Sequence, residues 1–156
     1  MTASKILFAG LFAALMVGSQ AAKADGFVCR DSSGAYGIKL YDNVTPQLGT
    51  RVPAIMVLSD GSQASGSKTL ASFSQAAGNL RYVDRSYHAE VNFPAAYSQT
   101  LGGVKMSQIK ELVFLVNHNF NQALAMNQNL VAQLQILDKS HNIAYVNFTC
   151  ARYLKN

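Results

Sequence analysis

The chain carries two cysteines, Cys29 and Cys150, near opposite ends of everything that follows its first apolar run. A bond between them would close almost all of the folding sequence into one ring, so it limits strand order more than any other feature. The first 24 residues bear on whether such a bond forms. Lys5 supplies a short positive region, and Ile6 to Val17 is an apolar run interrupted only by Gly10. Gly18-Ser19-Gln20 ends it, and Ala22-Lys23-Ala24 places small residues at the −3 and −1 positions of a cleavage site. Ser19-Gln20-Ala21 offers a second site slightly earlier. The run is well short of the roughly 20 residues needed to span a bilayer, and no Cys follows the small residues directly, as a lipid anchor would require. Residues 1–24 are therefore expected to be a signal peptide. Residues 25–156 are expected to form a single β domain, periplasmic or extracellular, with no stable membrane insertion after cleavage.

An exported compartment is oxidising and favours a disulfide between Cys29 and Cys150. The alternative is a pair of buried free thiols; a zinc site would need nearby histidines, and there are none. Cys29 follows Phe27 at period two, and Cys150 follows Ala144, Val146 and Phe148 on one parity. Both thus point with core residues. Disulfide geometry needs the two Cα atoms within about 7 Å, so the bond predicts that the first and last strands are neighbours.

Strand signals recur at short spacing along the rest of the chain. Phe27 to Arg30 is ended by Asp31-Ser32-Ser33-Gly34; Tyr36, Ile38 and Leu40 alternate with Gly37, Lys39 and Tyr41. Ala54 to Leu58 is apolar on both faces and reads as a central strand. Thr69, Ala71 and Phe73 alternate with Leu70 and Ser72. Leu80 to Val83 is a short strand, and Tyr87, Ala89, Val91 and Phe93 give the cleanest period-2 run, ended by Pro94. Leu112 to Val116 is a second apolar core strand. Leu130, Ala132, Leu134 and Ile136 alternate with glutamines, Asp138 to Asn142 reads as a hairpin turn, and a last strand runs from Ile143 to about Tyr153. Two stretches are ambiguous. Met106, Ile109 and Leu112-Val113 also fit one or two helical turns, and so does the region around Phe120 to Leu134, where the asparagines favour a loop up to Asn129. The fold class expected is all-β: an antiparallel β-sandwich or a small closed β-barrel of about eight strands, with the disulfide linking the first and last.

Charge excludes some functions. Lys5 and Lys23 account for two of the 13 Lys and Arg, so 11 face eight Asp and Glu beyond Ala24, scattered and without a basic run. Nucleic-acid binding needs clustering, and none is visible. No cofactor or metal site is indicated. His88 and Glu90 share a strand face and could begin a metal pair, but a polar solvent face explains them better; His118 and His141 have no assignable partner. No serine sits in a G-x-S-x-G elbow, and four of the six aspartates (Asp31, Asp42, Asp60 and Asp138) fall in turns, where Asp serves the backbone. The chain is thus not expected to be an enzyme. Tyr41 and Tyr145 fall on the outward parity of their strands, beside Lys39 and Asn147, and could form a binding face for a protein or glycan of the cell envelope; ordinary cross-strand pairing on an exposed sheet is the plainer explanation.

The layout of F-x-C (Phe27 to Cys29) and C-A-R-Y-L-K (Cys150 to Lys155) resembles that of small, uncharacterised secreted or periplasmic proteins of Gram-negative bacteria, a resemblance that implies no activity. A looser similarity is to bacterial C-type lysozyme inhibitors, small periplasmic β-barrels with cysteines near their ends; the chain lacks Trp and a recognisable inhibitor loop, so no residue is carried across. The functional expectation is a non-catalytic binding or envelope-interaction module of unknown ligand. Its alternatives are an inhibitor of a secreted hydrolase and, third, an enzyme acting on glycan or cell wall.

Overall fold

Alternating apolar and polar residues place every second side chain on one side of a strand, and a chain with many such strands buries those faces by curling one sheet around them. The computed structural model describes residues 25–41, 54–61, 68–116 and 129–154. The expected signal peptide and the loop up to Asn129 therefore fall outside the described residues, apart from Asn129 itself. Eleven strands follow in chain order: β1 (Asp25–Asp31), β2 (Tyr36–Tyr41), β3 (Ile55–Asp60), β4 (Lys68–Ser74), β5 (Leu80–Val83), β6 (Ser86–Glu90), β7 (Thr100–Leu101), β8 (Val104–Lys105), β9 (Ile109–Val116), β10 (Asn129–Asp138) and β11 (Ile143–Leu154). Nine of them form one sheet in the order β4-β3-β2-β1-β11-β10-β9-β6-β5, antiparallel throughout, and β7 and β8 form a separate small hairpin.

The large sheet is nearly closed, like a barrel. Its two end strands, β4 and β5, are consecutive in the chain and meet at one corner. There the Asn79 side-chain oxygen accepts the Ser74 N–H at 2.8 Å, and the Asn79 carbonyl accepts the Glu90 N–H at 3.1 Å. The interior is filled by inward-facing residues of the alternating strands and of the two apolar core strands: Phe27, Cys29, Ile38, Leu40, Met56, Leu58, Tyr87, Ala89, Leu112, Phe114, Leu134, Ile136 and Phe148 are all buried. Phe114 and Phe148 meet edge to face with ring centres 6.0 Å apart.

The disulfide stands where the parity argument puts it. Cys29 and Cys150 are directly opposed across β1 and β11, bonded, and 0% exposed. First and last strands are therefore adjacent, and the bond joins residues 121 apart in sequence. Closing so long a loop restricts the unfolded chain by roughly 5 kcal/mol on the chain-entropy view.

One end of the barrel is capped. Leu101, Met106 and Ile109 are fully buried, brought there by the β7–β8 hairpin and a 3-10 turn at Met106–Gln108. Gly102, at φ +56°, lets the hairpin sit against the barrel: a Cβ there would come within 2.7 Å of Val146 Cγ2 and 2.8 Å of Ile136 Cδ1. The cap is tied down by the Tyr36 hydroxyl, which donates to the Thr100 carbonyl, and by Lys139 Nζ, which donates to the Ser107 carbonyl at 2.9 Å.

Several local readings change. The ambiguous stretch near Met106 is a single 3-10 turn followed by a strand from Ile109, not a longer helix. The clean run from Tyr87 ends as a strand at Glu90, although Phe93 beyond it is still buried. In β4 the buried residues are Leu70 and Phe73 rather than one alternating set, because the pairing with β3 shifts between Leu58 and Ser59 and leaves Leu70 as an extra residue. Finally, β3 does not bury both faces of its apolar run: Ile55 is exposed and Val57 half-buried, although Ser59 on the same parity is buried.

Candidate functional site

The register decides which of the expected surface residues meet. Lys39 stands opposite Val28 on β1, and Val28 stands opposite Ala151 on β11. Asn147 lies four residues further along β11, about 13 Å away at ~3.3 Å per residue, and Tyr145 further still. The structure thus holds two local pairs, Tyr41 with Lys39 on β2 and Tyr145 with Asn147 on β11, at different heights on the outer wall. Tyr41 is half-buried, whereas Tyr145 is 55% exposed.

The surroundings of Tyr145 come from β10 and β9. Gln135 is its direct cross-strand neighbour, Gln133 is that of Asn147, and the Gln133 amide donates to Asn147 Oδ1 at 3.3 Å. Val113 and Leu115 of β9, both half-buried, continue these rows. Residues 112–116, 130–137 and 143–151 contain no charged residue. The outer wall formed by these three stretches is therefore uncharged, with one exposed aromatic ring, several amides and Thr149, edged by Val131 and Ile143, which are largely exposed, and bordered on β9 by Glu111, on the same parity as Val113. Sequence parity finds Tyr145 and Asn147, but the two glutamines belong to the site only through register.

A polar cluster occupies the neighbouring wall. His88 Nδ1 lies 2.9 Å from Glu111 Oε1, and His88 Nε2 lies 3.0 Å from Ser86 Oγ. Arg81 reaches Glu90 at 3.4 Å and Glu111 at 3.9 Å. The acidic partner of His88 is thus Glu111 from β9, not Glu90 on its own strand. Contacts in the order Ser, His, Glu are those of an acyl-transfer triad. Two features argue against a nucleophile. Ser86 is only 5% exposed, and its hydroxyl also donates to the Val83 carbonyl at 2.8 Å. In addition, β6 is paired on both sides, so its backbone N–H groups serve the ladders rather than a developing oxyanion. The cluster braces three strands. Among the described residues, no group of three His, Cys, Asp or Glu is placed to hold a metal ion.

The third feature is the seam of the barrel. A cleft of about 550 Å³, open to solvent, lies between β4 and the chain leaving β6. It is lined by the consecutive residues 70–73 on one rim and 90–94 on the other, with Asn79 and Tyr97 completing it. Phe73 and Phe93 are buried there, and the Phe93 and Tyr97 rings stand 5.5 Å apart.

No family model, no curated protein and no solved structure matches the chain.

Proposed function

We propose that the protein is a non-catalytic binding module of the bacterial cell envelope, secreted or periplasmic, and that it holds a neutral glycan on the outer wall of β9–β11 around Tyr145. The observation that carries this reading is the composition of that wall: an exposed Tyr ring at the centre, Gln133, Gln135, Asn147 and Thr149 around it, and no charge from 143 to 151. A tyrosine ring offers a flat apolar face to the C–H groups of a sugar while its hydroxyl stays wet. Amides supply both donors and acceptors, which matches sugar hydroxyls. A charged wall would favour acidic or basic partners instead. The disulfide supports an oxidising compartment, and the N-terminal sequence supports export.

Native affinity electrophoresis through gels containing neutral polysaccharides, and a pull-down on soluble peptidoglycan fragments, test the reading. Retention is expected, and Tyr145→Ala should weaken it by about 5- to 30-fold, corresponding to about 1–2 kcal/mol. Retention unaffected by Tyr145→Ala would remove the wall from the function. Specific capture of a secreted hydrolase on the same wall would assign it to a protein inhibitor, and release of sugar fragments would show turnover.

A further inference from the structure

We propose that the seam between β4 and residues 90–94 is a second binding site, which takes up a short extended peptide carrying a basic residue as an added strand. This site is independent of the wall around Tyr145. The inference rests on what borders the cleft. Side-chain pockets are normally lined by residues scattered in sequence, but here four consecutive residues, 70–73, line one rim and five, 90–94, the other. Consecutive residues on both rims fit two extended backbones that border the gap. Among the described strands, β4 ends the sheet and pairs with β3, so its other edge offers N–H and C=O groups to the opening. Across the gap, the chain past β6 still bonds to β9 on its far side, through Val91 N–H to the Lys110 carbonyl at 3.1 Å.

Asn79 ties the two rims together at one end of the cleft. Asn79 bonds Ser74 on one side and Glu90 on the other, and Tyr97 lies among the lining residues beyond them. β4 runs toward Asn79 and the 90–94 segment runs away from it, so a strand laid between them would be antiparallel to one rim and parallel to the other. The four lining residues of β4 span about 10 Å at ~3.3 Å per residue, the length of about four residues of an extended peptide. Buried Leu70, Phe73 and Phe93 form an apolar floor for alternate side chains. Among the described residues of the lining, Glu90 is the one that is charged, with its side chain 68% exposed; Arg81 offsets it through a contact at the surface. The charge therefore favours a Lys or Arg on the peptide. This mode gives affinity through the main chain and selectivity through alternate side chains.

The test uses the mature protein with its disulfide intact and a pool of acetylated hexapeptides with Val, Leu or Phe at alternate positions, Thr between them and one Lys. Binding at millimolar peptide, followed by amide NMR and hydrogen exchange, should protect amides within Leu70–Ser74 and shift signals of residues 90–94. Methylating alternate peptide nitrogens should weaken binding at least tenfold. Glu90→Gln should weaken it by roughly two- to fivefold at low ionic strength, and Tyr145→Ala should leave it unchanged. No binding by the pool would overturn the proposal. So would equal binding of the N-methylated pool, or shifts confined to β9–β11.

Discussion

At the scale of single residues, the disulfide dominates. Cys29 and Cys150 pair across the two strands that begin and end the described chain. The Cys29→Ala, Cys150→Ala double variant should lose up to about 5 kcal/mol in urea unfolding, less if its unfolded chain stays compact. An unchanged midpoint would show that the packing alone holds the ends together. Tyr36 gives a pH dependence. Burial, and then the carboxylates of Asp60 and Asp31, push its hydroxyl above the ordinary value of 10.0. The folded state thus keeps the proton longer than the unfolded chain. Its contribution is intact below pH 10.0 and is lost as pH rises through the higher folded value, where ionisation also breaks the bond to the Thr100 carbonyl. Melting temperature should fall more steeply above pH 10 in the wild type than in Tyr36→Phe; parallel curves would disprove the assignment.

At the scale of elements, the hairpins show how turn chemistry and register combine. The β10–β11 turn is organised by Asp138, whose carboxylate accepts the N–H groups of Ser140 and Asn142, each at 2.8 Å, and the Asn142 amide at 3.0 Å. The Asn142 side chain, followed by the backbone bonds, holds this carboxyl below its ordinary value. Asp138→Ala should therefore lower the melting temperature at neutral pH, and the difference should vanish as pH falls through the folded value and the wild-type carboxylate is protonated. The β5–β6 hairpin turns on Asp84 and Arg85, with φ of 47° and 67°. Two successive positive φ angles are the mirror-image turn that matches strand twist and normally selects Asn-Gly. Arg85→Gly should stabilise the protein by roughly 0.5 kcal/mol, after glycine's own entropy loss is set against the relieved strain. A drop in stability would mean that the Arg85 side chain contributes more than its backbone strain removes.

At the scale of the whole molecule, closure is unequal around the barrel. β1, β11, β10 and β9 each have partners on both sides, and the disulfide crosses the first two. Among the described strands, β4 and β5 end the sheet, and Asn79 ties them by accepting the Ser74 N–H. Local opening should begin where fewest ladders must break. Native-state hydrogen exchange is expected to be slowest in the central residues of β10 and β11 and fastest in β4 and β5. Uniform exchange at the global unfolding rate would mean that the seam is as firmly closed as the rest, and it would leave little room for an added strand.

The inward faces were legible residue by residue: Ile38 and Leu40, Leu134 and Ile136, Phe148 and Cys150 are buried as their parity requires. The Asp138 turn and the adjacency of the first and last strands were legible too. Those features are local, or follow from one covalent constraint, and a period of two is written directly in consecutive residues. What sequence could not supply is which strand lies beside which and at what offset. That offset puts Gln133 and Gln135 beside Asn147 and Tyr145, and gives His88 to Glu111 rather than Glu90. It also makes Leu70 an extra residue in β4 and leaves the seam at β4 and β5. Antiparallel pairs of this kind look alike locally, and a shift of two residues preserves every inward face. The choice among them was therefore made by packing across the barrel and by the cap on its end, and only the tertiary structure records it.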